Sequence, residues 1–278
     1  MTELEFLESA LREDVADGDH SSLSTIPANA TGKAHLLVKE DGILSGLEVA
    51  KKVFTLVDSS ISLDIKMKDG DTIKKGDIVF YANGNSQNLL KAERLMLNMM
   101  QRMSGIATTT SKYVEKLKGT KTKVLDTRKT TPNLRAFEKL AVLHGGGVNH
   151  RFGLYDMIMI KDNHVDFAGG IEAALTKAHN YVHTTKPGLK IEIETRDLNE
   201  VQQVLDCGLG HRIMLDNFNY KDTITAVNLI GNAYETESSG GITLDTIAEY
   251  AQCGVDYISV GALTHSVKSL DLSFKAID

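Results

Sequence analysis

The chain has 278 residues, of which 42% are hydrophobic and 24% charged, and it carries a formal net charge of -6. This is the composition of an ordinary globular protein, long enough to bury a large core as one barrel or as two domains. It excludes a nucleic-acid face, which would tilt a whole domain basic, and a membrane-embedded chain, because no apolar run nears the ~20 residues that span a bilayer.

In chain order, the N-terminal segment MTELEFLESALREDVADGDH is acidic and amphipathic. It predicts a helix over Glu3 to Glu13 and is neither a signal nor a transit peptide. Up to about residue 100, short strands alternate with turn signals at Asp41-Gly42, Asp69-Gly70 and Gly76-Asp77, an α+β pattern. Two segments here are decoys. LLVKEDGILSG (36–46) is faintly similar to the phosphoribosyl-pyrophosphate strand of open-sheet transferases but lacks the Thr-rich glycine loop, and DGDTIKKGD (69–77) reads as a compact β turn. A long helical pattern follows, with Leu89, Met96, Met100, Met103 and Ala107 on one face as core.

From Thr122 the rhythm changes. Short apolar runs at 123–127, 157–161, 190–194, 212–216, 233–239 and 257–261 are separated by helical segments, as in successive βα units. Parallel strands in a barrel are expected, although spacing alone leaves a doubly wound sheet open. Asp126-Thr127-Arg128, Lys161, Glu194, Asp216, Ser239 and Gly261 all fall at predicted C-terminal strand ends, where an α/β barrel builds its active site.

The stretch from Arg128 to His164 carries six Lys/Arg against three Asp/Glu. Arg128-Lys129 and His150-Arg151 flank Thr-Thr-Pro and Gly145-Gly146-Gly147, and arginine forks with glycine N–H groups suit a small polyanion. SSGG (238–241) and SVGA (259–262) follow the last two strands, the usual place for a phosphate site in a barrel. Glu194 and Asp216 end consecutive strands and suit a Mg²⁺ bound to pyrophosphate or a positively charged sugar. His150 reads as a ligand donor, and His35, His179 and His183 as surface residues; no HExxH or GxSxG pattern occurs. Cys207 and Cys253 lack metal or redox spacing, which predicts a reduced, cytoplasmic protein.

The series AERLMLN (92–98), SGIAT (104–108), DTRKTTPNLR (126–135), HGGGVNHR (144–151), IKDNH (160–164), IEIE (191–194), MLDNF (214–218), SSGG and VGALTHS (260–266) closely resembles quinolinate phosphoribosyltransferase, in order over nearly the whole chain. The resemblance implies an α/β fold: an incomplete α/β barrel of the type II phosphoribosyltransferases over 104–266, and an N-terminal α/β sandwich domain over 1–103 with the 267–278 tail packed on it. It implies transfer of phosphoribosyl from phosphoribosyl pyrophosphate to quinolinate with loss of CO₂, with Mg²⁺ and no organic cofactor. It also implies a homodimer with shared active sites, higher assembly being left open. By motif match, Arg128, Lys129, His150 and Arg151 would hold quinolinate, with Arg94 entering from the neighbouring subunit. Lys161, Glu194 and Asp216 would meet phosphoribosyl pyrophosphate and its metal, and Ser239, Gly240, Gly261 and His265 its phosphate. Asn133 stands where the family has glycine, and His144 where another side chain is common. Two rivals are a molybdate-transport-associated paralogue, which should relax the dicarboxylate clamp that is intact here, and a non-catalytic anion-binding barrel, which would gain nothing from Glu194 and Asp216.

Overall fold

A computed structural model describes residues 2–277. The chain forms two compact units: one takes everything described up to Ser111, Thr130–Gly146 and everything from Ser266, and the other takes Lys112–Lys129 and Gly147–His265.

The first unit is built on an antiparallel sheet. Strands β1 (Thr31–Val38), β3 (Ser62–Ile65) and β5 (Ile78–Asn85) are joined by the C-terminal strand β12 (Leu272–Ile277) in the order β12-β1-β5-β3. The register of β12 on β1 runs from Lys33 opposite Ile277 to Val38 opposite Leu272. Along β1, Ala34, Leu36 and Val38 are buried and the residues between them are less so, the two-residue period of a sheet with one face on a core. Helix α3 (Leu47–Val57) supplies Phe54, which lies 5.9 Å from Phe80 of β5 and 5.9 Å from Phe274 of β12, ring centre to ring centre. Such aromatic contacts add about 0.5–1.5 kcal/mol each beyond burial, so the last strand is tied in by side chains as well as by its ladder.

Two short strands, β2 (Gly42–Ile43) and β4 (Thr72–Ile73), pair in a separate ribbon, so DGDTIKKGD, expected as a compact β turn, supplies a strand flanked by turns. Helix α1 (Glu3–Val15) opens on a reciprocal Thr2–Glu5 capping box, and α2 (His20–Thr25) follows. Helix α4 (Ser86–Lys116) buries Leu89, Met96, Met100, Met103 and Ala107, the stripe expected as core. Helix α5 (Arg135–His144) also belongs to this unit, with buried Glu138 accepting hydrogen bonds from Arg102 Nε (2.9 Å) and the Thr131 N–H (3.1 Å).

The second unit is a parallel sheet of β6 (Lys123–Leu125), β7 (Ile158–Ile160), β8 (Ile191–Thr195), β9 (Arg212–Asp216), β10 (Glu235–Ser239) and β11 (Tyr257–Ser259), in the order β6-β11-β10-β9-β8-β7. Helices α6 (Asp162–Ala168), α7 (Ile171–Thr184), α8 (Leu198–Cys207), α9 (Tyr220–Ile230), α10 (Ile247–Gln252) and α11 (Ala262–His265) connect them. Val148 adds a single parallel bridge to Leu125 on the free side of β6. Around the sheet, β6, Val148, β7, β8, β9, β10 and β11 follow one another in chain order and return to β6. No reversal of order occurs, so the sheet is not doubly wound. It is an incomplete barrel, open between Val148 and β7.

The opening exposes the edge of β7. A cleft of about 420 Å³ lies there, lined by Arg151, Leu154, Met157, Met159 and His164 among others. Leu154, Tyr155 and Phe167 are the most exposed large apolar side chains among the described residues, at 71%, 72% and 90%. No helix of the described residues is long and apolar enough to cross a membrane.

Candidate active site

Parallel strands end on the same side, so the polar residues at the C-terminal ends of β6 to β11 converge by topology alone. Side chains two apart on a strand share a face. Glu192 and Glu194 of β8, Arg212 and Asp216 of β9, and Glu237 and Ser239 of β10 therefore form ladders, with the outermost rung at the mouth.

At that rung, Lys161 Nζ lies 3.2 Å from Glu194 Oε2. Burial is the main influence raising the Glu194 pKa, the Asp216 and Asp162 carboxylates add to it, and Lys161 opposes them. Glu194 and Asp216 thus lie within range of each other's charge, as their strand ends suggest. Asp216 accepts a hydrogen bond from Asn217 Nδ2 at 2.7 Å.

Next to them stands a loop of unusual backbone. Gly240 (φ +99°), Gly241 (φ +61°) and Asn217 (φ +56°) all adopt left-handed conformations, and the Asn217 N–H donates to the Ser239 carbonyl at 2.9 Å. A Cβ on Gly240 would overlap Asn217 Oδ1 and lie 2.9 Å from the Asn217 backbone nitrogen. Only glycine fits between the two loops. Gly261 has a similar role, because a Cβ there would meet both the His265 ring and Lys129 Cδ at 3.0 Å. Gly261, His265 and Lys129 are therefore neighbours, and Thr264 Oγ1 fixes the Lys129 carbonyl at 2.7 Å.

The basic residues are grouped on the β6 side. Arg128 and Lys129 are exposed, and Arg151 is half-buried with one guanidinium nitrogen donating to the Met157 carbonyl at 3.2 Å. Burial lowers the Arg151 pKa first, and the charge of Arg128 lowers it further. Two guanidinium groups close enough to repel form a site that favours an anion.

His150 differs from the rest of this group. It is buried, its N–H donates to Asp126 Oδ1 at 2.8 Å, and Asp126 is itself fully buried. Its Nε2 faces inward, 3.1 Å from Glu192 and 3.4 Å from Glu237. Its Nδ1 accepts from the Arg151 N–H at 2.7 Å. The expected ligand donor therefore turns both ring nitrogens to protein groups.

Arg94 lies in the first unit, exposed on α4, apart in chain and unit from the other expected residues. The Gly145-Gly146 pair corrects an expectation. Their N–H groups close α5 on Ala141 and Leu143, and a Cβ on Gly145 would overlap the Ala107 carbonyl oxygen, so Gly145 is there for helix packing, not anion binding. His35 is half-buried beside Tyr81 rather than a plain surface residue. Sequence reasoning missed Glu192, Arg212 and Glu237, although the alternation in IEIET, RIMLD and ETESS is the trace of an interior-facing polar ladder.

The chain matches the family model for the quinolinate phosphoribosyl transferase N-terminal domain over residues 19–104 and that for the C-terminal domain over residues 106–275. The chain belongs to the quinolinate phosphoribosyltransferase family. It is 44% identical to "Quinolinate phosphoribosyltransferase [decarboxylating] 2b, mitochondrial" of Nicotiana tabacum, over 98% of this chain and 81% of that protein. With "Probable nicotinate-nucleotide pyrophosphorylase [carboxylating]" of Bacillus subtilis (strain 168) it shares 42% identity, over 94% of this chain and 89% of that one. The crystal structure of NadC from Streptococcus pyogenes superposes with a TM-score of 0.93 at 41% identity, covering 99% of this chain and 96% of that chain. Family membership accounts for both units: the antiparallel sheet falls in the N-terminal match, apart from β12, and the open barrel in the C-terminal one.

Proposed function

We infer that this chain transfers phosphoribosyl from phosphoribosyl pyrophosphate to quinolinate and releases CO₂, giving nicotinate mononucleotide and pyrophosphate for NAD biosynthesis. The observation that carries this reading is the grouping, at one end of a family barrel, of the Arg128–Arg151 pair with the Lys161–Glu194–Asp216 set. The first suits a dianion and the second a sugar carrying pyrophosphate.

The chemistry divides between these groups. Arg128, Lys129 and Arg151 hold the two quinolinate carboxylates, with His150 directly behind Arg151 and Arg94 supplied by a partner subunit. The pyridine nitrogen then attacks the anomeric carbon as the bond to pyrophosphate breaks, and the electron pair leaves with pyrophosphate. Glu194 and Asp216 stabilise the positive charge that develops on the sugar. Lys161 and the Ser239-Gly240 and Gly261-His265 loops hold the anionic phosphates. Alkylation makes the ring a pyridinium, which accepts the electron pair of the breaking bond to the adjacent carboxylate. CO₂ departs and the ring carbon takes up a proton.

Glu194 and Asp216 also fit a Mg²⁺ ion. They are hard oxygen donors on adjacent strands, and Glu194 is raised in pKa by burial with Asp216 adding repulsion, the situation a divalent cation relieves. Bound there, the ion would offset the charge of the departing pyrophosphate. A homodimer is supported by the apolar surface along the open barrel edge, where Leu154, Tyr155 and Phe167 are exposed. The free cysteines support a cytoplasmic setting.

Release of labelled CO₂ from carboxyl-labelled quinolinate, dependent on phosphoribosyl pyrophosphate, tests the reaction directly; no release from folded protein would end this reading. Substrate choice is a sharper test. Nicotinate offers one carboxylate to a clamp built for two, and leaves the half-buried Arg151 or its exposed neighbours Arg128 and Lys129 short of a carboxylate partner. We expect at least ~10²-fold preference for quinolinate in kcat/KM. Equal values for the two acids would show that the basic cluster is not a dicarboxylate clamp.

A further inference from the structure

Beneath the mouth of the barrel lies a buried charge cluster that the proposed chemistry does not use. Glu192 and Glu237 are fully buried, on β8 and β10. Arg212, on β9 between them, places one guanidinium nitrogen 3.0 Å from Glu237 and 3.8 Å from Glu192, and the other 3.0 Å from Glu235. His150 completes the cluster, with Nε2 3.1 Å from Glu192 and 3.4 Å from Glu237.

We propose that Glu192 and Glu237, backed by Arg212, are positioning residues: through the His150 ring they fix the backbone at Arg151 and aim its guanidinium into the quinolinate clamp. The inference rests on the clamp reading above, and adds to it the part of the protein that sets the clamp's geometry. The chain of contacts is continuous. Both carboxylates stand 3.1–3.4 Å from His150 Nε2, and the far side of the ring, at Nδ1, accepts the Arg151 N–H at 2.7 Å. A nitrogen accepting from an N–H carries no proton of its own, so the ring proton sits on Nε2, facing the carboxylates. The ring is then a strut with one end in the buried acids and the other on the backbone of the clamp arginine. Asp126 holds the preceding peptide from the β6 side by accepting the His150 backbone N–H.

The energetics point the same way. Buried carboxylates are costly, and these persist because cations compensate them. Burial disfavours a proton on the His150 imidazole, but Glu192 and Glu237 outweigh it; because Nδ1 accepts the Arg151 N–H, that preference is met at Nε2. Glu192 is raised by its burial and by the neighbouring Glu237, whereas Glu237 is held low by His150, Arg212 and Ser259 despite its burial. Glu192 therefore depends on ion pairing more than on hydrogen bonds, since neither of its oxygens has a hydrogen bond of good geometry. The His150, Glu192 and Glu237 ligand atoms lie within 4.8 Å of one another, a spacing that a metal could use. Arg212 already supplies the positive charge there, which favours an ion cluster over a metal centre.

The experiment uses the full chain and the variants Glu192→Gln and Glu237→Gln, each alone and combined with Arg151→Ala. Each single Gln variant should raise the KM for quinolinate roughly tenfold, about 1.4 kcal/mol, with the KM for phosphoribosyl pyrophosphate changed less than about twofold. In the Arg151→Ala background the same changes should add nothing, because the residue they position is gone. Imidazole NMR of ¹⁵N-histidine-labelled protein should show His150 protonated at Nε2 and bare at Nδ1 in the parent, and altered in both Gln variants. Where Glu237→Gln fails to fold, Glu192→Gln and Glu237→Asp carry the test. Unchanged quinolinate KM in the folded Gln variants, or an effect that persists in full without Arg151, would overturn the positioning role while the clamp stands. An unchanged quinolinate KM in Arg151→Ala alone would overturn the clamp itself.

Discussion

Gly240 shows how a single residue shapes the loop proposed to bind phosphate. Its φ of +99° and the closeness of Asn217 Oδ1 to the place a methyl group would take leave no room for a side chain. Gly240→Ala must either strain the backbone by about 1–2 kcal/mol or push the two loops apart. We expect a folded enzyme whose KM for phosphoribosyl pyrophosphate rises at least about tenfold while that for quinolinate stays nearly constant. An unchanged phosphoribosyl pyrophosphate KM would remove this loop from the phosphate site. At this scale much was legible. Asn133 adopts the left-handed φ of +64° expected for an asparagine in a glycine position. Lys161, Glu194 and Asp216 were visible as polar residues ending apolar runs. Glu192 and Glu237 were not, because a charged residue inside a strand reads as solvent-facing until the strand is known to line a barrel. Gly145 was misread because glycine supports both anion binding and close helix packing, and only its neighbours decide between them.

At the scale of elements, the two ends of the barrel do different work. The C-terminal ends carry the site, whereas Asp256, at the start of β11, binds strands together at the other end. Its Oδ2 accepts the Thr236 N–H at 2.9 Å, its N–H donates to Thr236 Oγ1 at 3.0 Å, and its Oδ1 receives Lys121 at 2.7 Å. Burial raises the Asp256 pKa, but bonds from Lys121 and Thr236 outweigh it and hold the carboxyl below its usual range. A depressed carboxyl stabilises the fold above the unfolded pKa of ~3.9, and this contribution is lost as pH falls through the folded value. Asp256→Asn should therefore lower Tm at pH 7 with little change in KM for either substrate. The gap from the parent should close below roughly pH 4. A gap that stays constant to pH 3 would disprove the linkage. The βα rhythm itself was legible from spacing, and the barrel was preferred over a doubly wound sheet. Strand order settled that choice, and strand order is a long-range property. The bridge at Val148 escaped notice because one residue in a glycine-rich loop has no periodicity to read.

For the whole molecule, the net charge of -6 alongside a basic mouth means that the charge needed for two anionic substrates is concentrated locally. The proposed homodimer with shared sites predicts complementation. Arg94→Ala and Arg128→Ala homodimers should each be nearly inactive, yet refolded mixtures should regain activity, since one site of each hybrid has both arginines. Mixtures as inactive as either parent, despite verified subunit exchange, would show that Arg94 does not serve a partner. The pairing of β1 with β12 has a consequence for synthesis on the ribosome. About 240 residues of chain separate Lys33 from its partner Ile277. At a translation rate of ~5–20 residues per second, β1 waits roughly 12–50 seconds for its neighbour, with one edge unpaired. Every strand of the barrel is made during that wait, so the unit that begins first is finished last.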